Sequence, residues 1–222
     1  MEQINANVKG QLDPEQWLAL SQACDLLTMT FRYPDDFILG WTVSSGEWKD
    51  AVKEVAESLG FQLPEGFEET DFAVDAEGNP TADDDAFLEV LTAEAERLFK
   101  GQKPLVPMKE YAWDHADDSG TKYFMAQCGY FGPEGGDGAN DTIDQEIELL
   151  GVLAIVAGGA NQPAQETPDP ERLPGGSGEA AYHRWFDQHI ARWVSDFAKA
   201  VEKETTLPFY RAAAQVLQKF VA

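Results

Sequence analysis

Apolar residues in this chain recur every three to four positions in one stretch after another, and no stretch alternates convincingly between apolar and polar. That period lines up one face of an α-helix, whereas a half-buried strand needs a period of two. The first stretch opens on Asp13-Pro14-Glu15-Gln16, which offers a capping Asp, a proline at the first helical position and a Gln three residues after the cap. Leu20, Cys24, Leu27 and Phe31 continue it until Tyr33-Pro34 stops the helix. Ser44 and Glu47 read as a second capping box, followed by Trp48, Val52, Val55 and Leu59 and a glycine stop at Gly60. The acidic, irregular residues from Phe61 to Pro80 read as a long surface connection.

Thr81 is the expected cap of the next helix, whose inner face is Phe87, Leu88, Leu91, Ala95, Leu98 and Phe99. A shorter helix is expected from Thr121 to Tyr130. Asp141 is the expected cap of another, with Ile143, Ile147, Leu150 and Ala154 inward and Gly158-Gly159 at its end. Tyr182, Phe186, Ile190, Trp193, Phe197 and Val201 mark a long helix, and a last one starts near Pro208 with Phe209, Ala213, Leu217 and Phe220. The expectation is an all-α bundle of about seven or more helices, one domain over 1–222, with flexible connections near 61–80, 132–140 and 160–178.

At 222 residues and 43% hydrophobic composition the chain can bury a core of its own. Its net charge of -24 would repel nucleic acid over most of the surface; it would attract a basic peptide, and it also keeps a protein soluble. The amino terminus lacks a basic start followed by an apolar stretch, and no run is long and apolar enough for a membrane span, so neither export nor insertion is expected. Cys24 and Cys128 sit in apolar helical patterns and read as buried free thiols.

The spacings that chemistry requires are missing. His183 follows Glu179 by four residues, not the three of a di-iron bundle, and HExxH is absent. The segment from Asp75 to Asp83 has alternating oxygen ligands, but Pro80 stands where a calcium loop needs glycine. No phosphate loop occurs, and Asp114, His115 and Ser119 lack a nucleophile elbow. No catalytic residue, metal or cofactor is therefore expected, and His183 and His189 read as structural or solvated. Asp141, Asp144 and Glu148, at i, i+3 and i+7, would align three carboxylates on one helix face. They read either as first-turn acids and a solvated glutamate, or as a ridge that takes arginine in a bidentate fork.

Three segments resemble the TorD/DmsD/NarJ-like chaperones of molybdenum enzymes. Glu96-Arg97-Leu98-Phe99-Lys100-Gly101, with Pro104, Pro107 and Glu110-Tyr111 after it, is similar to that family's RLF-x-G helix end and proline-rich stretch. Asn140 to Leu149 is similar to its P-D-H-x-G-x-E-L-E-F pattern, with Asn140, Thr142 and Asp144 in place of the Pro, His and Gly. Trp185 to Phe197, then Pro208-Phe209-Tyr210, resembles its closing F-x-x-H-[LI]-x-x-W-x-x-x-F and FY signature. The resemblance implies an all-helical cytoplasmic chaperone, monomer or homodimer, that binds the twin-arginine signal peptide and the apo form of a molybdoenzyme catalytic subunit during cofactor insertion. The expected groove is lined by Leu98, Phe99, Met108, Tyr111 and Trp113, with Asp141, Asp144 and Glu148 as its acidic rim. A nucleotide-binding or carboxylate-based hydrolase and a generic helical adaptor are the alternatives.

Overall fold

The computed structural model describes residues 3–8, 10–34, 37–115, 118–132, 138, 140–159 and 169–222. The fold is all-α. The helices are α1 (Pro14–Phe31), α2 (Phe37–Ser44), α3 (Glu47–Leu59), α4 (Asp84–Phe99), α5 (Tyr111–Asp114), α6 (Asp118–Gln127), α7 (Ile143–Ala157), α8 (Gly178–Trp185), α9 (Ala191–Glu204) and α10 (Pro208–Val221). A π turn, Phe186–Ile190, joins α8 to α9. The described residues hold no strand, only the isolated bridges Val74–Pro80 and Lys109–Thr142. None of their helices is long and apolar enough to cross a membrane. Most of the expected connections at 132–140 and 160–178 lie outside the described residues.

The cap of α1 forms as its sequence predicts. Gln16 N–H donates to Asp13 Oδ1 at 2.9 Å and Asp13 N–H to the Gln16 side chain at 3.0 Å. Three other caps differ. Ser44 ends α2, and Gly46, in the left-handed region at φ 87°, precedes α3. Asp83 rather than Thr81 caps α4, because Thr81 is tied back to the Ala73 carbonyl. Thr142 rather than Asp141 holds the N-cap position of α7. Helix α2 itself went unforeseen: Phe-Ile-Leu-Gly-Trp is apolar all round and shows no stripe.

One contiguous core runs through the bundle, from Ile4 to Val221. Helices α1 and α7 touch at glycines. A Cβ on Gly151 would lie 2.8 Å from Cys24 Cβ, and one on Gly158 would lie 2.9 Å from Trp17 Cβ. The 61–80 segment is irregular, but it is more than a surface connection. Phe61, Phe67, Phe72 and Val74 are buried, and Phe72 meets the Trp48 ring edge-on at 5.2 Å. Phe209 of α10 approaches the same indole at 4.8 Å. The acids of this stretch mask a set of aromatic anchors. Cys24 and Cys128 are buried and unpaired.

Candidate functional site

The three motif-bearing segments meet in one buried polar network. Glu110, just before α5, accepts from Thr121 Oγ1 of α6 at 2.7 Å and lies 3.0 Å from His189 Nδ1 in the π turn. Burial pushes the Glu110 carboxyl up, but His189 and Thr121 outweigh it and hold it below its ordinary value. Glu146 of α7 is fully buried and accepts from Trp193 Nε1 at 3.0 Å; its backbone carbonyl accepts from Trp185 Nε1 at 2.9 Å. Desolvation, then the nearby charge of Glu110, raises the Glu146 carboxyl well above the usual range. The two buried carboxylates thus divide their roles, Glu110 ionised against His189 and Glu146 favouring the neutral acid. His189 also packs on Trp185 at 4.2 Å between ring centres. The sequence reads His189 only as structural or solvated, because its partners Glu110 and Thr121 lie 79 and 68 residues away, too far for spacing to reveal them.

The eight residues of the expected groove fall into three places. Leu98 is wholly buried in the core and cannot line a groove. Phe99 and Trp113 are half-buried and share Phe197 between them: Phe99 stacks on it at 6.1 Å and Trp113 meets it edge-on at 6.3 Å. Trp113, expected in a loop, sits in the single turn of α5, stacks on Trp193 and donates to the Pro107 carbonyl at 2.8 Å. Met108 is half-buried, and its carbonyl accepts from Ile143 N–H. Tyr111, also in α5, is exposed.

Asp141 stands apart from the other two acids. It is fully buried, ion-paired to Lys109 at 3.6 Å, and accepts from Tyr111 N–H at 3.3 Å. It therefore fastens the 108–111 segment to the start of α7 and does not form a rim. Asp144 and Glu148 point instead at α1, where Arg32 approaches Asp144 at 3.9 Å and Glu148 at 3.3 Å. The single acidic ridge becomes a buried anchor and a two-carboxylate pair.

Glu148 and Arg32, but not Asp144, line a cleft of about 270 Å³ between α1, α2 and α7. Asp25, Arg32 and Glu148 supply its charge, and Met29, Tyr33 and Ile38 much of its apolar wall. Asp144 and Glu148 share the guanidinium of Arg32, and Asp25 lines the same cleft beside Glu148. Burial and then the Glu148 charge raise the Asp25 carboxyl; burial raises that of Asp144 against the pull of Arg32. Tyr130 donates to Glu148 at 2.5 Å. Just outside, α2 exposes Phe37, Ile38 and Trp41 on one face. No spacing in the sequence marks Asp25, and the only signal of α2 is the apolar run at 37–41. A scan against protein-family models matches none, and searches of curated proteins and of solved structures find no match.

Proposed function

We propose that this protein is a cytoplasmic chaperone of the TorD/DmsD/NarJ type. It binds the twin-arginine signal peptide of a molybdoenzyme catalytic subunit and holds that subunit back from export while its cofactor is inserted. The observation that carries this reading is the cleft beside α2. There, Asp25 and Glu148 line the cleft and Asp144 approaches its one arginine, Arg32, so carboxylates outnumber guanidinium groups next to an apolar wall and an exposed apolar helix face. A leader peptide presents the complementary pattern, paired guanidinium groups followed by an apolar stretch. The peptide's arginines would relieve the excess negative charge, and its apolar stretch would cover Phe37, Ile38 and Trp41.

The motif segments support the same reading. Glu110, Glu146, His189 and Trp193, one or more from each segment, converge in one network, so the resemblance falls on residues that act together. The peptide contact is assigned to α1, α2 and α7, away from Leu98 and Asp141.

Calorimetric titration with twin-arginine leader peptides, with Arg-to-Ala peptides as controls, tests the function. Saturable binding that weakens with added salt and disappears with the arginines is the expected result. Failure of every leader to bind would overturn it.

A further inference from the structure

A second cleft, of about 610 Å³, opens between α6 and the α8–π–α9 rod, and two arginines line it. Its rod side presents Arg184, Gln188 and Arg192; its α6 side presents Gly120, Tyr123 and Gln127. In a chain with 16 Lys and Arg against 40 Asp and Glu, two arginines beside a single lining acid, Asp187, stand out.

The π turn is what aligns them. Residues eight apart on a regular α-helix sit about 80° from each other around the axis. One inserted residue takes back about 100°, so Arg184 and Arg192 come within about 20° of one line, with Gln188 between them. With one residue inserted, the rise from Arg184 to Arg192 is that of about seven helical residues, roughly 10–11 Å. Arg184 has no carboxylate partner among the described residues. Arg192 is ion-paired to Asp114 at 2.9 Å and donates to the Gln188 carbonyl at 3.2 Å, which leaves most of its five N–H groups. Below them His189 is held through Nδ1 by Glu110 and Thr121, so the floor is rigid. Tyr123, 67% exposed, forms an aromatic wall.

We propose that this cleft binds an extended acidic peptide segment with two carboxylates four residues apart. Four residues of extended chain cover about 13 Å, which the two long arginine side chains can span from helix positions about 10–11 Å apart. The peptide backbone between the carboxylates then meets the Gln188 amide, and an apolar residue of the segment packs on Tyr123. Each guanidinium takes its carboxylate in the planar fork that Arg favours. The site is independent of the leader-peptide cleft, which is acidic and built on different helices.

Fluorescence anisotropy with a labelled Glu-x-x-x-Glu peptide tests this, using the full chain at low salt. Saturable binding is expected, weakened at least fivefold by Arg184→Gln and by a Gln-x-x-x-Gln peptide, and unchanged by Arg32→Gln. A peptide with adjacent glutamates should bind more weakly than the spaced one. Arg184 is exposed, so its variant should keep the wild-type circular dichroism spectrum. Absence of saturable binding, or equal binding by Arg184→Gln, would overturn the proposal. Inorganic tripolyphosphate binding more tightly than the peptide would also overturn it and assign the cleft to phosphorylated small molecules.

Discussion

Replacing Glu94 with Gln removes the charge from the most heavily bonded carboxylate among the described residues. Glu94 accepts from Arg97 Nε at 2.7 Å and Nη2 at 2.9 Å, and from Thr205 Oγ1 at 2.9 Å and Thr206 N–H at 2.7 Å, so α4 clamps the turn between α9 and α10. Burial alone would raise its carboxyl; the bonds from Arg97, Thr206 and Thr205 outweigh it and bring it from 4.5 to about 2. At about 1.4 kcal/mol per pKa unit this corresponds to roughly 3 kcal/mol. Arg97 is 39% exposed, so solvent screening reduces the figure to about 2 kcal/mol. A depressed carboxylate stabilises above its unfolded value of 4.5, and the contribution is lost as pH falls towards 2. Urea unfolding at pH 7, 5, 4 and 3 should therefore find Glu94→Gln about 2 kcal/mol less stable at pH 7, with the gap narrowing below pH 4.5. A gap that stays constant with pH, or is absent at pH 7, would refute the reasoning.

Three further perturbations separate packing from charge. Gly151→Ala drives a methyl to 2.8 Å from Cys24 Cβ and should cost about 1–3 kcal/mol in thermal or urea melts, because α1 and α7 must part. Glu146→Gln should have the opposite sign: a carboxyl raised in the fold loses stability as pH climbs above its unfolded value, so the neutral amide should match or exceed wild type at pH 8 and flatten the pH 5–8 profile in chemical denaturation. Burial raises the Cys24 thiol far above its ordinary value, so a thiol reagent should label it only under denaturing conditions.

The helices with a clear stripe and a start or stop signal were legible: α1 with Asp13 and Gln16, α3 by its stop at Gly60 although its Ser44 cap did not form, and α10 behind Pro208. Helix α2 was not, because an element apolar on every side has no period to read. The caps at Thr81 and Asp141 differ because tertiary bonds take those side chains elsewhere, Thr81 to Ala73 and Asp141 to Tyr111; Asp83 then caps α4, and Thr142 holds the α7 N-cap position without a side-chain bond. The candidate site was legible only in part. Asp144 and Glu148 do share a face, one helical turn apart, whereas Asp141 belongs to another contact. The Glu110–His189 pair spans 79 residues and depends on a π turn, and no local pattern carries either feature.

The reading of the α1–α2–α7 cleft is tested most directly by the double variant Asp25→Asn, Glu148→Gln, titrated with a twin-arginine leader peptide that wild type binds. Both substitutions keep side-chain shape and remove charge, and circular dichroism checks the fold. The account predicts that affinity falls at least tenfold and loses most of its salt dependence. A folded double variant that binds the leader as tightly as wild type would contradict it.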